Sequence, residues 1–315
     1  MFKTNFLNPQ KLPLVIESDS QDKSGKRLLD LTERRDFFLE RLLQHGAVLL
    51  RGFDVRTIDE FENFVQAFSG KKFFNYAGGV SPRLALSGGV YTSTEYPAHL
   101  TLTLHNELSY SDIYPQHLYF FCHTAPQIGG ETTLGDSRRI LRNINPKTVG
   151  LFKYKRVRYD RNLQNDKNSD YSWQAAFETD SKETIENHCR RIGAEYEWKA
   201  KDNLCISQIR PATAMHPETG EEVWFNQADG FHPSGLDEEI YQSIVSNHEE
   251  FRLDSHFGDG SPIALGMLEN IRSVLRAETI PHRWQKGDIL ILDNMLTAHG
   301  RMPFSGARKI ALAMT

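Results

Sequence analysis

Residues 100–107 read LTLTLHNE and residues 287–301 read GDILILDNMLTAHGR. Leu100–His105 alternates apolar and β-branched residues, the pattern of a strand running into His105. In an extended chain, residues i and i+2 face the same side. His105 and Glu107 then point at one place, and Asn106 turns away. Residues 287–293 form an apolar run behind a turn, read as a second strand, with His299 just beyond it. A sheet fold that lets strands distant in sequence face each other is needed to bring His299 to the first pair.

Outward from these segments, helices and short strands intermix. Residues 27–45 (RLLDLTERRDFFLERLLQH) carry apolar residues near helical spacing, with Gly46 as the stop. Ala47–Arg51 (AVLLR) reads as a buried strand and Thr57–Phe68 as a second helix. His117–His123 (HLYFFCH) is a short aromatic strand. Ser137–Tyr154 holds one or two helices, Asn145-Pro146 opening the second. Ser181–Gly193 is a helix with a serine cap and a glycine exit. Residues 195–232 read as short strands, with a hairpin turn at His216–Gly220. Leu236–Arg252 and Gly266–Ala277 read as helices, and Lys309–Met314 as a last strand. No G-x-G-x-x-G or P-loop follows a strand, which argues against a nucleotide-binding α/β fold. The expected class is mainly β with helical insertions (α+β), with a β-sandwich or jelly-roll core. No interdomain linker or repeat interrupts the 315 residues, which are read as one domain.

Composition narrows function by exclusion. The formal net charge is −4, and no basic run suggests nucleic acid. No apolar stretch is long enough to cross a membrane. The N-terminus lacks the apolar core of a secretory signal. Three widely spaced cysteines, Cys122, Cys189 and Cys205, suggest buried thiols rather than a disulfide framework. A reducing, cytoplasmic setting is expected.

Two imidazoles and one carboxylate (His105, Glu107, His299) form the set with which a non-haem Fe(II) oxygenase occupies one face of its metal. The open face can take a keto acid and O₂. Affinity alone does not name iron, because Zn(II), Co(II) and Ni(II) accept the same donors. H-x-E alone is weak, and the chain holds a second instance, His216-Pro-Glu218. Proline between its members and Thr-Gly after them mark that one as a turn. A lone His105 is more commonly a hydrogen-bonded core histidine, and Arg308 a surface cation. Their order along the chain favours the metal reading, with Arg308 clamping a carboxylate through two parallel hydrogen bonds.

HNE at 105–107, GGETTLGD at 129–136 and AHGRMPFSGARK at 298–309 resemble the TauD/TfdA family of Fe(II)- and 2-oxoglutarate-dependent dioxygenases. The likeness runs from Ala47 to Thr315. TEYP at 94–97, LHNELSYS at 104–111, YSWQ at 171–174 and TGEEVWFNQADGFHP at 219–233 resemble its SyrP-like and clavaminate-synthase-like branch. The resemblance implies a double-stranded β-helix (jelly roll), with His105, Glu107 and His299 as iron ligands. It also implies Arg308 and Thr132 on the distal carboxylate of 2-oxoglutarate. The activity implied is hydroxylation of an amino acid, free or tethered to a carrier protein, in natural-product biosynthesis. It consumes O₂ and releases CO₂ and succinate; desaturation or cyclisation needs only another substrate pose. Glu107 replaces the family's commoner aspartate, as in clavaminate-like and asparagine-hydroxylating members. Halogenating relatives lack the acid, so Glu107 favours hydroxylation. Four residues past Arg308, taurine-type enzymes hold a sulfonate with arginine; Leu312 there argues against a sulfonate.

Candidate substrate contacts are Asn106, Ser109, Trp173, Asn226, Gln227 and Phe231. The alternative for Trp173 and Phe231 is core packing, and for Asn226 and Gln227 backbone satisfaction in a hairpin. Arg161 and Arg210 are weaker candidates, more commonly ion-paired or solvated. Asn294 reads as a turn-shaping residue. Two rival classes remain. A zinc hydrolase is disfavoured by the absence of H-E-x-x-H. A jelly-roll binding module without chemistry has no need of the triad together with Arg308.

Overall fold

In a computed structural model, residues 3–18, 31–81, 83–93, 96–169 and 171–315 are described. Two sheets dominate. The larger has eight strands in the order Lys3–Phe6, Leu14–Glu17, Ala47–Arg51, Ile289–Asp293, His117–Thr124, Lys309–Met314, Val90–Thr92 and Ala85–Ser87. The smaller has four: Ile280–His282, Thr132–Asp136, Thr297–Arg301 and Leu102–His105.

The two-residue period of the central strands decides what lies on each face of the larger sheet. Ala47, Leu49, Leu118, Phe120, Leu290, Leu292, Ile310 and Leu312 share one apolar cluster with Leu104, Leu134 and Ala298 of the smaller sheet. The intervening Val48, Leu50, Tyr119, Phe121, Ile289, Ile291, Ala311 and Ala313 face the helices Arg35–His45 and Ile58–Ser69. Those helices contribute Phe38, Leu42, Phe61, Phe64 and Phe68. Each fully buried ring is worth roughly 1.5–3 kcal/mol. These central strands are buried on both faces, which is why they read as continuous apolar runs.

The result is a jelly-roll-type, mainly β fold with helices, as the sequence suggests. Local signals held where caps were clear. The Thr57 hydroxyl accepts from Glu60 N–H in a capping box. Gly46 ends the first described helix in the left-handed region, its N–H donating to the Leu42 carbonyl. Ser137–Asn143 and Pro146–Lys155 are two helices, Asn145 capping the second.

Several boundaries differ. Within the expected first helix, residues 31–33 and Arg35–His45 are helical with a turn at Arg34 between them, and residues 27–30 lie outside the described residues. The long helix expected over Leu236–Arg252 is only Glu238–Ser246, because none of its residues is buried to hold a longer one. Ala228–Phe231 is helical rather than strand. A further four-stranded sheet (Glu195–Trp198, Leu204–Arg210, Val157–Leu163, Leu253–Phe257) packs on the helix Lys182–Arg191 with its own apolar cluster.

Candidate active site

Strand pairing explains how His299 reaches the middle of the chain. Thr297–Arg301 lies between Thr132–Asp136 and Leu102–His105, and His299 is the direct cross-strand partner of His105. Their ring centroids are 4.4 Å apart. Close approach here requires Gly300. A Cβ at that position would come within 2.4 Å of the Leu102 carbonyl oxygen and 2.7 Å of Thr133 Oγ1.

Glu107 is not in the ladder. The strand ends at His105, and Glu107 begins a turn, with Leu108 at φ +55°. The carboxylate nevertheless arrives beside the imidazoles. One donor atom from each of His105, Glu107 and His299 lies within 4.8 Å of the other two. His299 Nε2 is 3.8 Å from Glu107 Oε2.

The donor set fits a divalent metal of the borderline class. His105 Nδ1 lies 2.9 Å from the Thr103 carbonyl, which can only accept. That nitrogen therefore carries the proton, and Nε2 keeps its lone pair for a metal. Burial, against an opposing pull from Glu107, lowers the His105 pKa. Burial followed by the neighbouring His105 and Arg83 charges holds His299 well below the usual histidine range. Both rings are thus neutral near pH 7, the form a metal needs.

A cavity beside the triad is lined by Arg83, Ser93, Phe120, Thr132, His299 and Arg308, among others. Phe120 packs on the His299 ring at 5.2 Å between centroids, closing the apolar side. Arg308 donates to the Gly130 carbonyl and to Ser93 Oγ, each at 3.2 Å. Among the described residues no carboxylate pairs with it, and burial, then Arg301, lowers its pKa to about 10. A half-buried guanidinium without a counter-ion among the described residues is a ready anion site. Thr132 Oγ1 accepts from Trp284 Nε1 at 3.0 Å, which fixes the hydroxyl on the same cavity wall.

The other candidates lie outside this cavity. Asn106 is buried, donating to Ser137 Oγ and the Asn294 carbonyl. Ser109 is buried with no hydrogen-bond partner for its hydroxyl. Asn226 bridges the Ala212 carbonyl and Ala228 N–H. Gln227 donates to the Asn106 carbonyl. Phe231 packs on Tyr110 and Tyr159. Trp173 lies in the cluster under the third sheet, its indole N–H bound to the Asp202 carbonyl. None of these six lines the cavity. Arg161 donates to the Gly78 and Gly79 carbonyls, and Arg210 to the Ile192 carbonyl. His216, the rival H-x-E histidine, pairs with Asp293 at 3.0 Å and accepts from Glu218 and Thr219 N–H. That bond to Asp293 raises its pKa and fixes it as a turn element.

Sequence reasoning missed Arg83. Its Nη2 donates to Glu107 Oε2 at 2.6 Å, with both side chains buried. Burial works against the cation, but Glu107 and Tyr76 together outweigh it and keep the guanidinium's pKa above its ordinary value. Residues 78–83, GGVSPR, carry no metal- or carboxylate-binding motif, and nothing in that local sequence points to a partner 24 residues away.

The family model described as taurine catabolism dioxygenase TauD, TfdA family, matches residues 10–315. The chain belongs to the TauD/TfdA dioxygenase family. It is an Fe(II)- and 2-oxoglutarate-dependent oxygenase acting with O₂ on a small molecule. Dapdiamide synthesis protein DdaC from Enterobacter agglomerans is 36% identical over 277 residues, covering 87% of this chain and 83% of the relative. A clavaminate synthase-like protein from Arabidopsis thaliana is 28% identical over 286 residues, covering 88% and 84%. Among solved structures, PvcB from Pseudomonas aeruginosa aligns with a TM-score of 0.55 at 17% identity, over 96% of this chain and 84% of PvcB. Asparagine oxygenase, solved with Fe(II), 3-hydroxyasparagine and succinate, gives 0.54 at 14% identity, over 91% and 79%. At these identities the structures speak to the fold. Among the described residues no helix is long and apolar enough to cross a membrane.

Proposed function

We propose that this enzyme hydroxylates an unactivated C–H bond of an amino acid or amino-acid-derived small molecule, free or carrier-tethered, in a natural-product pathway. His105, Glu107 and His299 hold the Fe(II); Arg308 and Thr132 receive the distal carboxylate of 2-oxoglutarate. The convergence of three donor atoms within 4.8 Å, beside a half-buried arginine that no described carboxylate pairs with, carries the reading. The amino-acid assignment draws on the relatives by sequence: one is named for dapdiamide synthesis, and another is clavaminate synthase-like. The chain acts as a single domain, since donors from residues 105–107 and 299 make one site.

The bound metal and keto acid supply the oxidative chemistry. The residues of this chain supply position and exclusion of water. Cross-strand pairing fixes both imidazoles relative to each other. Trp284 orients the Thr132 hydroxyl, and Gly130 and Ser93 orient the Arg308 fork. Arg301 donates to the carbonyls of Tyr96, Pro97 and Leu100, pinning the approach to Leu102–His105 along the cavity edge. Phe120 and Leu102 keep that wall apolar.

Succinate release tests the reading. Purified enzyme with Fe(II), 2-oxoglutarate and O₂ is expected to release succinate in step with a hydroxylated product for at least one amino acid, supplied free or as a carrier-bound thioester. Absence of turnover with every free and carrier-bound candidate would instead favour a binding module.

A further inference from the structure

Arg83 is the cavity residue whose role neither the metal nor Arg308 explains. It lines the cavity with Thr132, His299 and Arg308. Its side chain is 2% exposed, and Nη2 pairs with Glu107 Oε2. Nε and Nη1 are buried with no hydrogen-bond partner. The guanidinium lies over the Tyr76 ring at 4.3 Å. Upstream of it, residues 78–80 are held by hydrogen bonds. Arg161 donates to the carbonyls of Gly78 (2.7 Å) and Gly79 (3.0 Å), and Val80 N–H donates to Tyr110 Oη at 3.0 Å.

A buried cation with two idle donors is costly unless an anion meets them. Glu107 balances Arg83 only while its charge is undivided. A divalent metal on Glu107 draws that charge away and adds two positive charges. The dianionic co-substrate returns two negative charges, one of its carboxylates facing Arg308. Metal, co-substrate, Arg83, Arg308 and Glu107 alone leave one positive charge in excess, and Arg301 lines the same cavity. Among the described residues no acidic side chain lines the cavity to offset it.

We propose that Arg83 is a second carboxylate-receiving guanidinium, and that it takes a free carboxylate of the organic substrate next to the metal. This rests on the dioxygenase reading and sharpens it. A substrate held this way enters with an ionised carboxylate rather than with that group masked as an ester or thioester. Nε–H and Nη1–H diverge, one on each side of the Nη2 that Glu107 holds, so a carboxylate takes one of them, alone or together with the second Nη2 proton, while the guanidinium rests over the Tyr76 ring.

The test uses full-length protein loaded with Co(II) and N-oxalylglycine, an inert analogue of 2-oxoglutarate. It is titrated calorimetrically with the free proteinogenic amino acids, with acetate, and with the matching methyl esters. In the wild type, free acids that bind are expected to bind at least about tenfold more tightly than their esters. Arg83→Gln is expected to reduce that preference to below about twofold while changing N-oxalylglycine affinity less than about threefold. Arg83→Lys, which keeps charge but not the fork, is expected to fall between the two. The proposal is overturned if esters bind the wild type as well as acids, or if no acid, acetate included, binds at all. Loss of N-oxalylglycine binding in Arg83→Gln, with the acid preference intact, also overturns it and gives Arg83 to the co-substrate. A wild type that binds neither Co(II) nor N-oxalylglycine contradicts the dioxygenase reading itself and removes this proposal with it.

Discussion

The Asn294 side chain grips the backbone of Glu107 on both sides. Glu107 N–H donates to Asn294 Oδ1 at 2.7 Å, and Asn294 Nδ2 donates to the Glu107 carbonyl at 2.9 Å. The carboxamide takes the place of a neighbouring strand at the point where the ladder has ended. A third bond runs from Nδ2 to the Pro115 carbonyl at 2.9 Å, and the residue is fully buried.

Asn294→Ala leaves three buried backbone groups without partners. The expected cost is about 3–5 kcal/mol in chemical denaturation. Surviving folded protein is expected to bind Co(II) about tenfold more weakly, because the ligand's backbone is no longer held. Unchanged metal affinity at reduced stability would make Asn294 a fold residue with no bearing on the metal.

The buried Arg83–Glu107 pair makes the metal ligands unequal in the metal-free protein. Glu107→Ala strands the Arg83 cation and is expected to cost about 3–5 kcal/mol. His105→Ala removes one hydrogen bond at a partly exposed site and is expected to cost less than about 1.5 kcal/mol. Both abolish tight metal binding. Equal losses in metal-free denaturation would contradict the pairing.

His282 gives the fold an acid-sensitive point away from the metal. It is buried against Trp284, neither ring nitrogen has a hydrogen-bond partner, and Asp288 is 3.9 Å away. Burial, then the Arg51 charge, lowers its pKa to about 3. The unfolded chain takes up that proton near the ordinary value of 6.5. Between these values the unfolded state binds more protons, so stability is intact above about pH 6.5 and falls as pH drops towards 3. From pH 7 to 4 the contribution is on the order of 3 kcal/mol. Asp288, with its pKa raised by burial, works in the opposite sense, so the comparison with His282→Phe isolates the histidine. That variant is expected to lose the His282 part of the acid slope; an identical slope would contradict its burial as a neutral ring.

Arg308 is expected to govern co-substrate affinity and leave the metal alone. Arg308→Gln should weaken N-oxalylglycine binding by about 10- to 100-fold with Co(II) affinity unchanged. Because its pKa is lowered to about 10, wild-type affinity should hold from neutral pH upward and decline as pH passes that value. Calorimetry across pH checks both; wild-type affinity in the variant would displace Arg308 from the role.

Much of this was legible in the sequence for physical reasons. Ala47–Arg51 and Ile289–Asp293 are buried on both faces, so their composition alone marked them as central strands. Gly46 and Thr57 announced helix ends because left-handed backbone and N-terminal donors restrict which residues fit. His105 and His299 were recognisable from motif order. Glu107 was expected at its place through extended-chain periodicity, yet a side-chain clamp holds it there. Arg83 stayed hidden because its partner is set by a loop path rather than by a local pattern. Trp173, Asn226 and Phe231 stand out in the sequence as residues of polar and aromatic loop-like stretches, and their contacts with core rings and backbone are set by tertiary packing that the local pattern does not encode.

Anaerobic titration of wild-type protein with Fe(II) and then 2-oxoglutarate tests the central claim most directly. The account expects a weak visible charge-transfer band that saturates at one iron per chain and is absent in His105→Ala, Glu107→Ala and His299→Ala. A wild type without the band, or a His299→Ala protein that keeps it in full, would contradict the claim that these three side chains hold a single ferrous ion.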